Sequence, residues 1–432
     1  MPPLAITLHE WEERSPDGDP LLVGVSLDRD PAVRAAASEL TRQGKVEIVE
    51  LRTGLLIRTT SYVGRVQLGD LHLTIRPKIP FDPLLTLLRY AFHLRDVMLF
   101  SPAEYDTPPD AFQELLIHEL AAEAGDLMAH GLLRRYTPVR ESLAAPRGRI
   151  DVQRIIRQGG VQDAALPSTH YPRLEDSLIN QVLLAGLYLA SGLTGDGAQR
   201  SRLRRLASAI EEHVSRVALH ADLLRRVDRQ MNRLTAAYRP ALALIALLLE
   251  GSGSVLDEDQ TGPDLPGFLF DMNRFFEALV SRFLHENLPG YTVTDQYRLR
   301  GLLSYAPGRN PQRRQAPTPR PDYVISRDGT VVAVLDAKYR DIWTNGLPRE
   351  MLYQLALYAL SQSAGGSAAI VYPTIDTDAQ PEAIDIREVI HGEHRGQVAL
   401  RPLNLLRLEV LIRASGAQAE RERHGLAASL AL

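Results

Sequence analysis

The apolar residues of this chain follow two different periods, and the change between them divides the sequence. Between Val46 and Arg76 they recur at every second position. Val46-Glu47-Ile48-Val49-Glu50-Leu51 alternates, Leu55 to Thr60 follows the turn signal Thr53-Gly54, and Tyr62–Gln67 and Leu71–Arg76 flank Leu68-Gly69-Asp70 at hairpin spacing. Pro77 ends the last of these strands because it cannot donate to a ladder. From Pro83 to Leu249 the period becomes 3.6: Leu84, Leu87, Leu88 and Ala91 share one helix face, and Phe112, Leu115, Leu116 and Leu120 another. Further helices are expected over about 174–192, 199–229 and 232–249, with Pro146 to Asp151 extended between them. After Pro266 the pattern is mixed: a helix capped by Asp271, a strand over Tyr291–Leu299, an arginine- and proline-rich loop, a hairpin around Asp328-Gly329, a helix from Pro348 and a strand over Ala368–Tyr372.

A length of 432 residues fits two or three domains at roughly 150 residues each. The expected organisation is α+β and multidomain. A β-rich domain, a small barrel or curled sheet, spans 1–100. A helical region spans 101–250, an acidic linker opening on Gly251-Ser252-Gly253-Ser254 spans 251–266, and an α/β domain spans 267–432, its tail near Gln418–Arg423 peripheral.

Composition excludes several chemistries. No cysteine is present, so disulfides, thiolate metal sites and cysteine nucleophiles are ruled out. The most apolar run, Ala241–Leu249, is far shorter than the roughly 20 residues of a membrane span. The N-terminus lacks the basic start and apolar core of a signal peptide, so a cytoplasmic protein is expected. No Gly-x-x-x-x-Gly-Lys-[Ser/Thr] occurs, so no NTP is expected to bind through a P-loop, and neither a zinc-protease pair nor a nucleophile elbow is found. The net charge is −4, yet basic residues cluster: six arginines and no acid lie between Gln296 and Arg320. Such patches suit nucleic acid.

Of 49 basic residues only Lys45, Lys78 and Lys338 are lysine. Lys338 closes the run Asp336-Ala337-Lys338, which follows the apolar stretch Val331–Leu335, while Asp322 opens the other arm of the hairpin. Residues two apart on a strand share a face, so Asp336 and Lys338 point together. A two-residue turn in strict register would set Asp322 opposite Leu335, on the wrong face. A three-residue loop Arg327-Asp328-Gly329, with Gly329 left-handed in a bulge, would pair it with Val334 and bring it diagonally beside Asp336. That bulged loop is the expectation. Two carboxylates at a sheet end form a hard oxygen site suited to Mg²⁺, with Mn²⁺ as a substitute. A neighbouring ammonium would orient an attacking water and neutralise charge on phosphorus oxygens. This is the chemistry of phosphodiester hydrolysis.

Residues 267–372 resemble the PD-(D/E)xK nuclease fold, a mixed sheet flanked by helices. The resemblance assigns Asp322 and Asp336 as the acids and Lys338 as the lysine. It makes Glu277 the additional acid many members use, so that Asp322, Asp336 and Glu277 would hold the metal. Gln354 and Tyr358, four apart on one helix face, match the glutamine–tyrosine pair of RecB-like members. Upstream, Ser61–Asp70, Ile75-Arg76-Pro77-Lys78-Ile79, Pro146–Asp151 and Arg173–Gln181 resemble the McrC family in its own order. That resemblance implies the nuclease subunit of a modification-dependent restriction system. Its N-terminal part would contact an McrB-like AAA+ GTPase hexamer that recognises methylated double-stranded DNA, and would stimulate NTP hydrolysis. Arg65, Arg76 and Lys78 are candidate partner contacts, and Arg147, Arg149, Arg313, Arg314 and Arg320 candidate DNA contacts. The rivals are another PD-(D/E)xK nuclease of repair or helicase association, and a non-catalytic activator of an AAA+ NTPase.

Overall fold

The computed structural model describes residues 4–27, 30–94, 112–160, 164–252, 267–362 and 365–432. The acidic linker therefore lies outside the described residues from position 253 onward.

The N-terminal strands are β1 (Leu4–His9), β2 (Glu13–Arg14), β3 (Val46–Leu51), β4 (Gly54–Thr59), β5 (Tyr62–Leu68) and β6 (Leu71–Arg76). They form two sheets rather than one curled barrel: β2-β4-β3, and β1-β6-β5 with β1 parallel to β6. The alternating apolar residues Ile6, Leu8, Leu55, Ile57, Val66, Leu73 and Ile75 face inward. The core is closed by Ala36, Ala37 and Leu40 of a helix, α1 (Pro31–Arg42), which the β-rich reading of this region omitted. Asp30 caps it by accepting from the Ala32 N–H, and Pro31 sits at the first helical position.

The middle region is helical but interrupted. It begins with α2 (Phe81–Ala91) and α3 (Phe112–His130). Short strands β7 (Arg135–Tyr136), β8 (Val139–Leu143) and β9 (Arg149–Ile150), helix α4 (Val152–Arg157), and strands β10 (Leu166–His170) and β11 (Arg173–Leu174) follow. Next come α5 (Leu178–Leu193), α6 (Gly197–Glu211), α7 (Ala221–Asp228) and α8 (Arg239–Gly251). The single helix expected over 199–229 is two, because the chain leaves helical geometry after Glu211 and His220 caps a fresh start at Ala221.

Beyond the linker, β12 (Gly267–Asp271) adds to the N-terminal sheet, antiparallel to β5. Gly64 permits that pairing: its φ is +138°, and a Cβ there would lie 2.1 Å from the Phe268 carbonyl oxygen. Asp271 then caps α9 (Met272–Asn287), whose side chain accepts from the Asn273 N–H as expected. Phe275, Phe276 and Phe283 on α9 are fully buried, each such ring contributing about 1.5–3 kcal/mol of burial free energy.

The remaining strands, β13 (Thr292–Asp295), β14 (Tyr323–Arg327), β15 (Thr330–Ala337), β16 (Gly366–Thr374), β17 (Glu382–Arg387) and β18 (His394–Asn404), form one six-stranded sheet ordered β13-β14-β15-β16-β18-β17. Its centre, β15-β16-β18, is parallel and its edges antiparallel. After the short α10 (Ile342–Asn345), helix α11 (Arg349–Leu360) covers one face, packing Leu355 and Tyr358 against Val324, Val334, Ala368 and Ile370. On the other face, Tyr323, Ile325, Leu335 and Val371 join the core that contains α9. The chain beyond Tyr372 is not peripheral. β18 lies inside the sheet, paired with β16 along nine residues, and α12 (Leu405–Arg413) and α13 (Ala417–Ala431) bury Leu405, Leu408, Ala427 and Leu430 in the main core.

Candidate active site

The hairpin sets the geometry, by a route other than the expected one. Arg327 pairs with Thr330, so the turn is the two residues Asp328 and Gly329, with φ of 49° and 78°. Two positive φ values give the primed turn that matches strand twist. The bulge lies inside β15: Ser326 pairs with Val331 but Ile325 with Ala333, leaving Val332 as the extra residue. Val331 and Val332 are both exposed, so the insertion costs no core packing. Continuing the register sets Asp322 opposite Asp336, not Val334. The Asp322 N–H donates to Asp336 Oδ1 at 3.1 Å, and the Ala337 N–H to Asp322 Oδ2 at 2.9 Å.

Asp322 and Asp336 are 6% and 2% exposed, and among the described residues their close cation is Lys338, whose Nζ lies 3.3 Å from Asp322 Oδ2. Burial and then the Asp322 charge push the Asp336 carboxyl up to about 6, against the opposing pull of Lys338. Burial likewise raises Glu277, half-buried on α9, to about 7, with Asp322 adding to the effect. For Lys338 burial works downward, but Asp322, Asp336 and Glu277 outweigh it and the ammonium is held above its ordinary value. Three acids facing one cation is a site short of positive charge. Among the described residues no group of three or more His, Cys, Asp or Glu side chains is arranged to hold a metal ion. What the site offers is a carboxylate pair, the donor set that suits a hydrated Mg²⁺ completed by water and phosphate oxygens.

On α11, Gln354 bonds one of the acids and Tyr358 bonds Gln354. Gln354 Nε2 donates to Asp336 Oδ2 at 2.9 Å and to the Tyr358 hydroxyl oxygen at 2.8 Å. The Glu277 carbonyl accepts from the Tyr323 hydroxyl at 2.6 Å, which ties α9 to β14 beside the acids.

One residue of this site escaped the sequence reading. Gln296, expected inside a strand, ends β13 instead by taking φ +52°. There its N–H donates to the Asp322 carbonyl at 2.7 Å and its Nε2 to Asp322 Oδ1 at 3.0 Å. The only signal was its place just after Asp295, at the start of the arginine-rich loop.

The candidate arginines fall in three places. Arg313, Arg314 and Arg320 are exposed on the loop leading into Asp322, and Arg320 Nε donates to the Gln296 carbonyl at 3.1 Å. Arg147, between β8 and β9, and Arg149, on β9 where it pairs with Thr169 of β10, are exposed at the separate β8-β10-β9 sheet. Arg65 and Arg76 line an open groove on the outer face of the N-terminal sheet with Thr7, His72 and Thr74. The exposed Lys78 follows, its N–H donating to Glu10 Oε1. No described helix is long and apolar enough to cross a membrane.

A family model described as the McrBC 5-methylcytosine restriction system component matches residues 57–373. No curated protein matches the chain. Among solved structures, it resembles one described as a refined half-complex from the tetradecameric assembly of Thermococcus gammatolerans McrB AAA+ hexamers with bound McrC. That match has a TM-score of 0.59 and 20% identity over 98% of this chain and 99% of that one. A cryo-EM structure of the Thermococcus gammatolerans McrBC complex also matches, with a TM-score of 0.48 and 23% identity over 66% of this chain and 88% of that one.

Proposed function

We propose, from the premise that this chain belongs to the family of McrBC 5-methylcytosine restriction system components, that it is the nuclease subunit of such a system. It would cleave double-stranded DNA through a C-terminal PD-(D/E)xK domain. The observation that carries this reading is the opposition of two buried carboxylates, Asp322 and Asp336, with the Lys338 ammonium 3.3 Å from the first.

Asp322 and Asp336 would hold a Mg²⁺ ion, with Glu277 completing the acidic wall, and the ion when bound supplies Lewis acidity toward a phosphate and lowers the pKa of a coordinated water. Lys338 would orient the attacking water and offset charge that develops on the phosphorus oxygens. Gln354 holds Asp336 from one side and Gln296 holds Asp322 from the other, so neither carboxylate turns as substrate arrives. Arg313, Arg314 and Arg320, exposed on the loop entering Asp322, suit contacts with the phosphate backbone.

A similar structure is described as McrB AAA+ hexamers with bound McrC. By analogy the partner of this chain is an McrB-like AAA+ GTPase hexamer, reached through the N-terminal sheets and stimulated by them. Reconstitution with that partner tests both halves. Asp336→Ala and Lys338→Ala should abolish Mg²⁺-supported cleavage and leave stimulation of NTP hydrolysis intact. Cleavage at the unmutated rate by both variants would refute the nuclease assignment and leave the non-catalytic activator as the alternative.

A further inference from the structure

Two consecutive residues near the N-terminus hold the two residues that follow Lys338. Glu10, 1% exposed in the turn after β1, accepts with Oε1 from the Tyr339 hydroxyl at 2.7 Å and from the Lys78 N–H at 2.8 Å. Its Oε2 is buried with no hydrogen-bond partner. The next residue, Trp11, takes φ +57°, and the Arg340 guanidinium lies over its ring, 5.4 Å from the centroid. The Tyr339 ring in turn meets Phe276 edge-on at 6.0 Å, one residue before Glu277. The Lys338 N–H donates to the Val371 carbonyl at 3.0 Å. The segment 338–340 is thus fixed from the sheet, from α9 and from the N-terminal turn.

Two features of that turn oppose folding. A carboxylate oxygen buried without a donor is unfavourable, and burial raises the Glu10 carboxyl to about 7 even though Lys78 and Tyr339 pull it down. A bulky side chain at positive φ is strained. Costs of this kind persist where the placement of a neighbouring group matters.

We propose that the Glu10–Trp11 turn is a positioning element for the nuclease site. It fixes the strand exit that carries Lys338 toward Asp322. It also joins that exit to the Arg76–Ile79 segment, because one oxygen, Glu10 Oε1, receives both the Lys78 N–H and the Tyr339 hydroxyl. The proposal rests on the nuclease reading of Asp322, Asp336 and Lys338. It adds a physical route by which displacement at residues 76–79 reaches the lysine some 260 residues later in sequence.

The test uses the full chain with its AAA+ partner, Mg²⁺ and methylated duplex DNA, and the variants Glu10→Ala, Glu10→Gln, Tyr339→Phe and Glu10→Ala/Tyr339→Phe. Glu10→Ala and Tyr339→Phe should each lower kcat about tenfold, the low end for outer partners of a metal site, with KM for DNA unchanged. Glu10→Gln keeps the Oε1 acceptor and should restore most of the rate. The double variant should be no slower than Glu10→Ala, and the melting shifts of the metal-free chain should be equally non-additive, since both changes remove the Glu10–Tyr339 bond. Tyr339→Phe should still stimulate the partner's NTPase. The idea is overturned if Tyr339→Phe cuts at the unmutated kcat, if the two effects multiply, or if the loss falls on KM alone. Should Glu10→Ala not fold, Tyr339→Phe and Glu10→Gln decide alone. An unmutated complex that does not cut, or an Asp336→Ala complex that does, refutes the nuclease reading instead.

Discussion

Gln296 binds Asp322 twice, its backbone N–H to the carbonyl at 2.7 Å and its side-chain amide to Oδ1 at 3.0 Å. It does so from φ +52°, a conformation that glycine adopts freely and glutamine does not. Gln296→Gly therefore removes the amide while keeping the backbone. It should raise the Mg²⁺ concentration for half-maximal cleavage about tenfold, the scale seen when an outer partner of a ligand is lost. Melting temperature should change little. Gln296→Ala loses the amide and keeps the strain, so it should melt lower than Gln296→Gly. Cleavage titrated against Mg²⁺, paired with thermal melts, checks both.

The bulge at Val332 makes an unusual forecast about deletions. Removing Val332 leaves the pairs Ser326–Val331 and Ile325–Ala333 consecutive, so Asp322 stays opposite Asp336. Cleavage by that deletion variant should stay within about threefold of the unmutated complex, since the reacting geometry is retained. Removing Ser326 from the facing strand slips Asp322 to Leu335, which points to the other face. That variant should lose at least about a hundredfold, because misplacement of a reacting group by an ångström already costs that much.

The raised Asp336 carboxyl gives the metal-free chain a pH dependence of definite sign. With a folded pKa near 6 against an ordinary 3.8, the native state binds more protons than the unfolded state between those values. Stability therefore falls as pH rises through that window, by about 3 kcal/mol at most at 1.36 kcal/mol per unit. Glu277, raised to about 7, extends the fall toward neutrality. Melts in EDTA from pH 4 to pH 8 should show it. Asp336→Asn should flatten the lower part of the curve, and a variant curve parallel to the unmutated one would contradict the assignment.

Tyr358 and Gln354 separate stability from rate. Tyr358 is 1% exposed and its hydroxyl meets Gln354, so Tyr358→Phe should cost about 1 kcal/mol of folding stability, the usual scale for one hydrogen bond. Gln354→Ala removes that same hydrogen bond, so it should lose stability by a similar amount. Its loss of contact with Asp336 Oδ2 should also lower kcat by about 10- to 100-fold. Denaturant unfolding beside single-turnover cleavage distinguishes the two.

That Asp322, Asp336 and Lys338 share one hairpin was legible because Asp336 and Lys338 lie two apart and the Asp-Gly turn marks the hairpin. The turn itself was read as a three-residue loop, since spacing alone does not reveal where an extra residue is absorbed. Val332 sits among exposed valines that carry no positional signal. Helix α1 had a signal, Asp30-Pro31 before an alanine-rich run, which the alternation on its C-terminal side outweighed. Strand β18 had almost none: Gly396 and Pro402 interrupt its apolar run, and pairing with β16 on one side and β17 on the other makes it a strand. Gln296 and Glu10 were invisible as site residues for a common reason. Each acts through a partner that the fold supplies, 26 residues away for the first and 329 for the second.

The position of β18 also sets when a growing chain can complete the sheet that carries Asp322 and Asp336. The strand bearing Asp336 pairs with β16, and β16 has its other neighbour only when residues 394–404 arrive. Synthesis runs from the N-terminus, so Asp322, Asp336 and Lys338 all emerge from the ribosome before the strand that seals their sheet. A chain stalled or broken before Asn404 would carry every reactive side chain and no finished frame to align them. In the proposed nuclease, β18 would thus hold back cleavage until residues 394–404 have been made.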